Sequence, residues 1–208
     1  LFKDKRSIMG KPFWDLEEEN GFVNVKAWDK HYYKVWDAGT PETIKKVADI
    51  LANIRRDLNN LLEYLYENKD IWKDEPIAFG IYHMFDIHLP GGNPYTFNYQ
   101  EMTPNKDGIL GLNKPKVIDT IQVPFEGKII NYEIAGKRSI FLTIRPNLSS
   151  GGNPNEFNSY KSILDLAIHE ITHTTCNDVR WKSDNHKHPY PVYHKLMRKW
   201  AKDCGIKE

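Results

Sequence analysis

The sequence predicts an α+β domain on three observations. Residues 41–68 carry apolar side chains at helical spacing, residues 117–145 hold short β-branched stretches, and residues 160–171 return to helical spacing. The 208 residues are 40% apolar and 27% charged, the balance of an ordinary globular domain with enough chain for one core. A net charge of +1 gives no overall pull towards nucleic acid. No run approaches the roughly 18 apolar residues that a membrane-spanning helix needs. The expected division is an arm over residues 1–39 and a single domain over residues 40–208.

The arm is rich in aromatics (Phe13, Trp14, Phe22, Trp28, Tyr32, Tyr33, Trp36) and has little periodicity. It reads as an extended segment with short helical turns packed on the body, or as a surface for a protein partner, where aromatics are favoured. Thr40-Pro41-Glu42 starts a helix: threonine caps well, and proline suits the first turn because its missing N–H has no helical partner there. Ile44, Val47, Ile50, Leu51, Ile54, Leu58, Leu61, Leu62 and Leu65 then form one apolar stripe to about Asn68.

Residues 69–115 are rich in Gly, Pro, Asn and Tyr and read as turns between short strands. Within them His83 and His88 flank an apolar stretch and read as structural histidines. Val117–Val123, Lys128–Ile134 and Ser139–Arg145 read as strands, the last two joined in a hairpin at Ala135-Gly136-Lys137. A helix follows from Tyr160, capped by Asn158 or Ser159, with Ile163, Leu164, Ala167, Ile168 and Ile171 on its inner face. Pro189 and Pro191 lead into a last helix over about Val192–Cys204, with Tyr193, Leu196, Met197, Trp200 and Ala201 on one side. Cys176 and Cys204 are too few for a disulfide framework and read as reduced thiols.

His169-Glu170-Ile171-Thr172-His173 carries the chemistry. Residues four apart share a helix face, so two imidazoles can grip one metal ion, and Glu170 can act on a water at the ion's open side. The bland alternative is an amphipathic helix with two hydrogen-bonded histidines. A catalytic zinc takes three protein ligands and keeps one open position. A glutamate on a later helix is nearly ruled out, because Glu208 is the only one after Glu170. The spacing that places glycine three residues after the second histidine, and a third histidine three further on, meets Cys176 and Val179 here. Asp184, His186 and His188 remain as candidates.

Ile140-Phe-Leu-Thr-Ile-Arg145, Leu166-Ala-Ile-His169-Glu-Ile-Thr-His173, Asn185-His186-Lys-His-Pro-Tyr190 and Trp200-Ala201 through Gly205-Ile206 together resemble the WLM/SprT-like zinc metallopeptidases, most closely the viral-type members of large DNA viruses. The resemblance covers residues 129–206 well and 40–66 weakly; Asn185 replaces a glycine, and the loop from His173 to His186 is longer than the family's. It implies a zincin-like α+β fold: a long N-terminal helix, a small mixed or antiparallel sheet, the HExxH helix and a C-terminal helix. Because His186 lies four residues before the aromatic Tyr190, it also favours His186 over His188 and Asp184 as third ligand.

The expected activity is zinc-dependent hydrolysis of peptide bonds, with zinc on His169, His173 and His186 and Glu170 as general base. His188, Tyr193 or His194 is expected to steady the developing oxyanion, and Ser139–Arg145 to serve as an edge strand for extended substrate. The partner is then a protein or peptide substrate. Two other readings compete: a structural or interaction protein, such as a virion component, and a protease acting on DNA-bound proteins. The second draws on Arg180, Lys182, Lys187, Lys195, Arg198, Lys199 and Lys202 for nucleic-acid contact. The setting is virion-associated or intracellular on these readings.

Overall fold

The computed structural model describes residues 21–88, 97–102, 110–125, 127–146, 148, 151–176, 186 and 189–206. It is a mixed α+β fold in which helices pack on one five-stranded sheet. The strands are β1 (Phe22–Lys26), β2 (Tyr32–Trp36), β3 (Phe97–Glu101), β4 (Gly111–Phe125) and β5 (Lys128–Leu142), and the helices are α1 (Pro41–Glu67), α2 (Ala78–His88), α3 (Tyr160–Thr175) and α4 (Tyr190–Asp203). The strand order is β1-β2-β3-β5-β4. The two outer pairs are antiparallel, whereas β2–β3 and β3–β5 are parallel. No described helix is long and apolar enough to cross a membrane.

Residues 1–20 of the expected arm lie outside the described residues, and residues 22–36 depart from it. They form the β1–β2 hairpin, paired from Phe22 with Trp36 to Lys26 with Tyr32. Tyr33 and Val35 point into the core, whereas Trp28 and Tyr32 are exposed. Two five-residue strands give too short an alternation to stand out in an aromatic-rich stretch.

The 27-residue α1 follows this hairpin and begins where its capping residues predict: the Thr40 side chain accepts a hydrogen bond from the Thr43 amide. Val47, Leu51, Ile54, Leu58, Leu61, Leu62 and Leu65 are buried, and Ile44 and Ile50 flank them. This stripe packs with Tyr99, Ile140, Leu142 and Ile144 from the sheet side and with Ile163, Ala167 and Ile168 of α3 in one continuous core. Removing a fully buried leucine of that stripe would cost about 2–5 kcal/mol.

Helix α2 replaces the turns and strands expected after residue 69. Its sequence AFGIYHMFDIH has no continuous polar face, so periodicity could not reveal it. Gly80 inside it is a contact point: a Cβ there would lie 2.1 Å from the Thr175 carbonyl oxygen, so glycine lets α2 cross the end of α3.

The hairpin expected at Ala135–Lys137 also moves. β5 runs unbroken through those residues, and the register shifts opposite them, at Lys116/Val117 and Val117/Asp119. Glycine within a strand marked an irregularity rather than a turn. The turn lies where Phe125 pairs with Lys128, and Gly127 takes φ 74° there. The other correction concerns Ser139–Arg145. Residues 138–142 pair with β3 on one side and β4 on the other, so this segment is interior and the edge strand on that side of the sheet is β4.

Candidate metal centre

Helix α3 starts at Ser159, whose side chain accepts from the Ser162 amide, and buries Ile163, Leu164, Ala167, Ile168 and Ile171. Two of its buried polar residues bond within the helix itself. Thr172 Oγ1 donates to the Ile168 carbonyl and Thr175 Oγ1 to the Thr172 carbonyl, each at 2.7 Å. The helix can therefore sit deep in the core and still present His169 and His173 along one side.

His169 Nε2 lies 3.2 Å from His173 Nε2 and 3.0 Å from His186 Nε2. One ligand atom from each of the three histidines falls within 4.8 Å of the others, a group that can hold a metal ion. Asp184 and His188, the other third-ligand candidates, lie outside the described residues.

Burial, and then the neighbouring imidazoles, pushes His169 down to about 4 and His173 down to about 3, so both rings are uncharged near neutrality, each with one nitrogen free of a proton. Neutral imidazoles are the form that ligates metals.

Tyr190, at the start of α4, is the residue that sequence reasoning used only as a landmark. Its ring stacks on His173, with centroids 4.5 Å apart at 26°, and its hydroxyl donates to the His169 carbonyl at 3.1 Å. It supports both histidines from beneath. His194, one helical turn on, has its ring 5.5 Å from that of His169. Tyr193 does not serve the site: it is buried, and its hydroxyl donates to the Pro76 carbonyl at 2.8 Å.

Glu170 is 5% exposed, and its carboxyl lies against the edge strand. A Cβ on Gly111 would come within 2.5 Å of Glu170 Oε1, so the strand approaches the acid only because residue 111 has no side chain. Two positions along, Asn113 Nδ2 donates to the Glu170 carbonyl at 2.5 Å and to Thr174 Oγ1 at 2.9 Å. Arg138 Nη1 in turn donates to Asn113 Oδ1 at 3.3 Å. Neither Gly111 nor Asn113 carried a signal in the sequence, because their role depends on a strand pairing far from the motif.

Desolvation raises the Glu170 carboxyl to about 8. For the metal-free chain this sets a stability profile with pH. The raised Glu170 contributes stability that is full below 4.5 and is lost as pH rises through about 8. The depressed histidines contribute stability that is full above 6.5 and is lost as pH falls through about 4 and 3. Between 4.5 and 6.5 unfolding takes up two histidine protons and releases one from Glu170, so stability rises with pH; above 6.5 only the release remains. The urea midpoint of chelator-treated protein is therefore expected to peak near pH 6.5, with Glu170→Gln removing the alkaline decline. An alkaline decline of the same size in the variant would mean that some other group causes it.

Compared with known proteins, the chain matches no family model, no curated protein and no solved structure.

Proposed function

We propose that the chain is a zinc-dependent peptidase of the HExxH type, related to the WLM/SprT-like enzymes that its motifs resemble. The observation that carries this reading is the convergence of His169, His173 and His186, two of them on the helix that also carries the buried acid Glu170. The donor set fits zinc. Ligands at about 2.0–2.1 Å in a tetrahedral shell stand roughly 3.3 Å apart, close to the 3.2 and 3.0 Å that separate His169 Nε2 from the other two imidazole nitrogens. Three neutral nitrogens suit zinc better than they suit calcium or magnesium, which take oxygen.

When bound, zinc supplies Lewis acidity, acidifying a water towards pKa ~7 and polarising the scissile carbonyl. Glu170 accepts the proton from the attacking water and later passes it to the leaving amine. His194 is the remaining candidate among the described residues to steady the oxyanion, since its ring lies beside His169. Edge strand β4 offers its outer side to an extended substrate, and at Gly111 it touches the general base.

Zinc content and cleavage of an unfolded protein test the reading together. The chain is expected to bind about one zinc and to digest the substrate, with loss of both in chelator. His186→Ala is expected to weaken zinc affinity by well over the ~10–100-fold that loss of a ligand's supporting partner costs. No zinc uptake, or zinc uptake without cleavage, would leave a structural or interaction protein as the better account.

A further inference from the structure

The overall charge of +1 hides a local excess along α4. This helix carries Lys195, Arg198, Lys199 and Lys202 against a single acid, Asp203. Together with Pro191 and His194 they line a groove of about 440 Å³. Of these lining residues His194 stands beside the candidate metal centre, its ring 5.5 Å from that of His169. The groove therefore runs along α4 close to that centre, without His169, His173 or His186 in its lining.

We infer that this groove recognises an extended acidic peptide segment, an assignment of substrate class that rests on the peptidase reading above. Geometry sets the spacing. Lys195 and Lys199 are one i,i+4 step apart, about 6 Å along a helix, and an extended peptide advances roughly 6.6 Å over two residues. Carboxylates at alternate positions of a substrate therefore meet successive cations of the helix. Because the groove passes close to His169 at His194, those carboxylates fall about two to four residues from the scissile bond.

The same face fits a nucleic-acid strand less well. Two carboxylates are set among the cations: Asp203 with Lys199 at 2.6 Å and Asp165 with Arg198 at 3.5 Å. They lower the net positive charge of the face, on which binding of a phosphate backbone depends most heavily. The aromatics of α4 (Tyr190, Tyr193 and Trp200) are all buried, so among the described residues this helix offers no platform on which bases stack.

The test uses three synthetic peptides, alike except for Glu, Gln or Lys at alternate positions, and a thymidine oligonucleotide matched in charge to the Glu peptide. Binding is read by fluorescence anisotropy on zinc-loaded full-length protein carrying Glu170→Gln, and cleavage of the same peptides is read on the unsubstituted chain. The Glu peptide is expected to bind about tenfold more tightly than the Gln peptide, with the preference lost in Lys195→Glu/Lys199→Glu. Zinc content of that variant is expected to stay unchanged, since both lysines are exposed, while its thermal midpoint falls slightly with loss of the Lys199–Asp203 pair. Equal binding of all three peptides, or tighter, steeply salt-dependent binding of the oligonucleotide, would overturn the assignment. The two readings fail separately. Cleavage indifferent to peptide charge sinks the groove and keeps the peptidase; charge-selective binding without cleavage does the reverse.

Discussion

Glu170→Gln is expected to lower turnover of an unfolded protein substrate by about 10²–10⁴-fold while zinc stays bound. The reasoning starts from burial. Glu170 is 5% exposed and sits against Gly111, so a glutamine of nearly the same shape fills the same space. Without metal the acid is held protonated up to about 8, and the neutral amide resembles that form, so the fold tolerates the change. A cation on the three histidines favours the carboxylate instead, which is the form a general base needs. The amide can neither take up a proton nor return one. Zinc content measured beside kcat separates the two roles: full activity in a zinc-loaded variant would exclude Glu170 as the base.

Arg145→Met is expected to destabilise the fold by about 3–5 kcal/mol, enough to lower the thermal midpoint by roughly 10 °C in a chain of this size. Arg145 and Glu101 form an ion pair with both side chains fully buried. Nε donates to Oε1 at 2.8 Å and Nη2 to Oε2 at 2.7 Å, the two-pronged geometry that gives such pairs their strength. The guanidinium also donates to the carbonyls of Ala38 and Trp36, at 2.6 and 2.7 Å, while the Trp36 amide donates to Glu101 Oε2 at 2.9 Å. Methionine would leave the carboxylate and two carbonyls without these partners in the interior. Converting both partners, Arg145→Met with Glu101→Gln, is expected to recover part of the loss, because no uncompensated charge remains. A single-variant loss under about 1 kcal/mol in urea unfolding would mean that water reaches the pair.

That clamp bears on the candidate site by position. Arg145 fixes the chain just after β5, Asn158 ties back to the Thr143 carbonyl at 2.9 Å, and Asn155 accepts from Thr43 of α1. The segment entering α3 is thus fastened to the sheet and to α1 before the first ligand is reached.

What could be read in advance follows from the range of each interaction. α1, α3 and α4 announce themselves through apolar spacing and caps, and His169, Glu170 and His173 sit close enough in sequence to be read as a unit. His186 joins them through a turn whose path spacing cannot give, and it was favoured only because Tyr190 follows it at a familiar distance. α2 was hidden because it is apolar nearly all round. Glu101 carried no signal and Arg145 ended an expected strand; they stand 44 residues apart, and only the parallel pairing of β3 with β5 brings them together. The same pairing moved the expected edge strand inward and handed its place to β4, with Gly111 and Asn113.

Asn113 has a wider consequence. Its bonds to the Glu170 carbonyl and to Thr174 bolt the edge strand to the helix that bears the ligands, so the two keep a fixed separation. On the proposed reading, that fixed edge adds a selection by conformation to any selection by sequence. A stretched, unpaired backbone can slide in along β4, whereas a strand already committed to its own sheet has no free edge to offer.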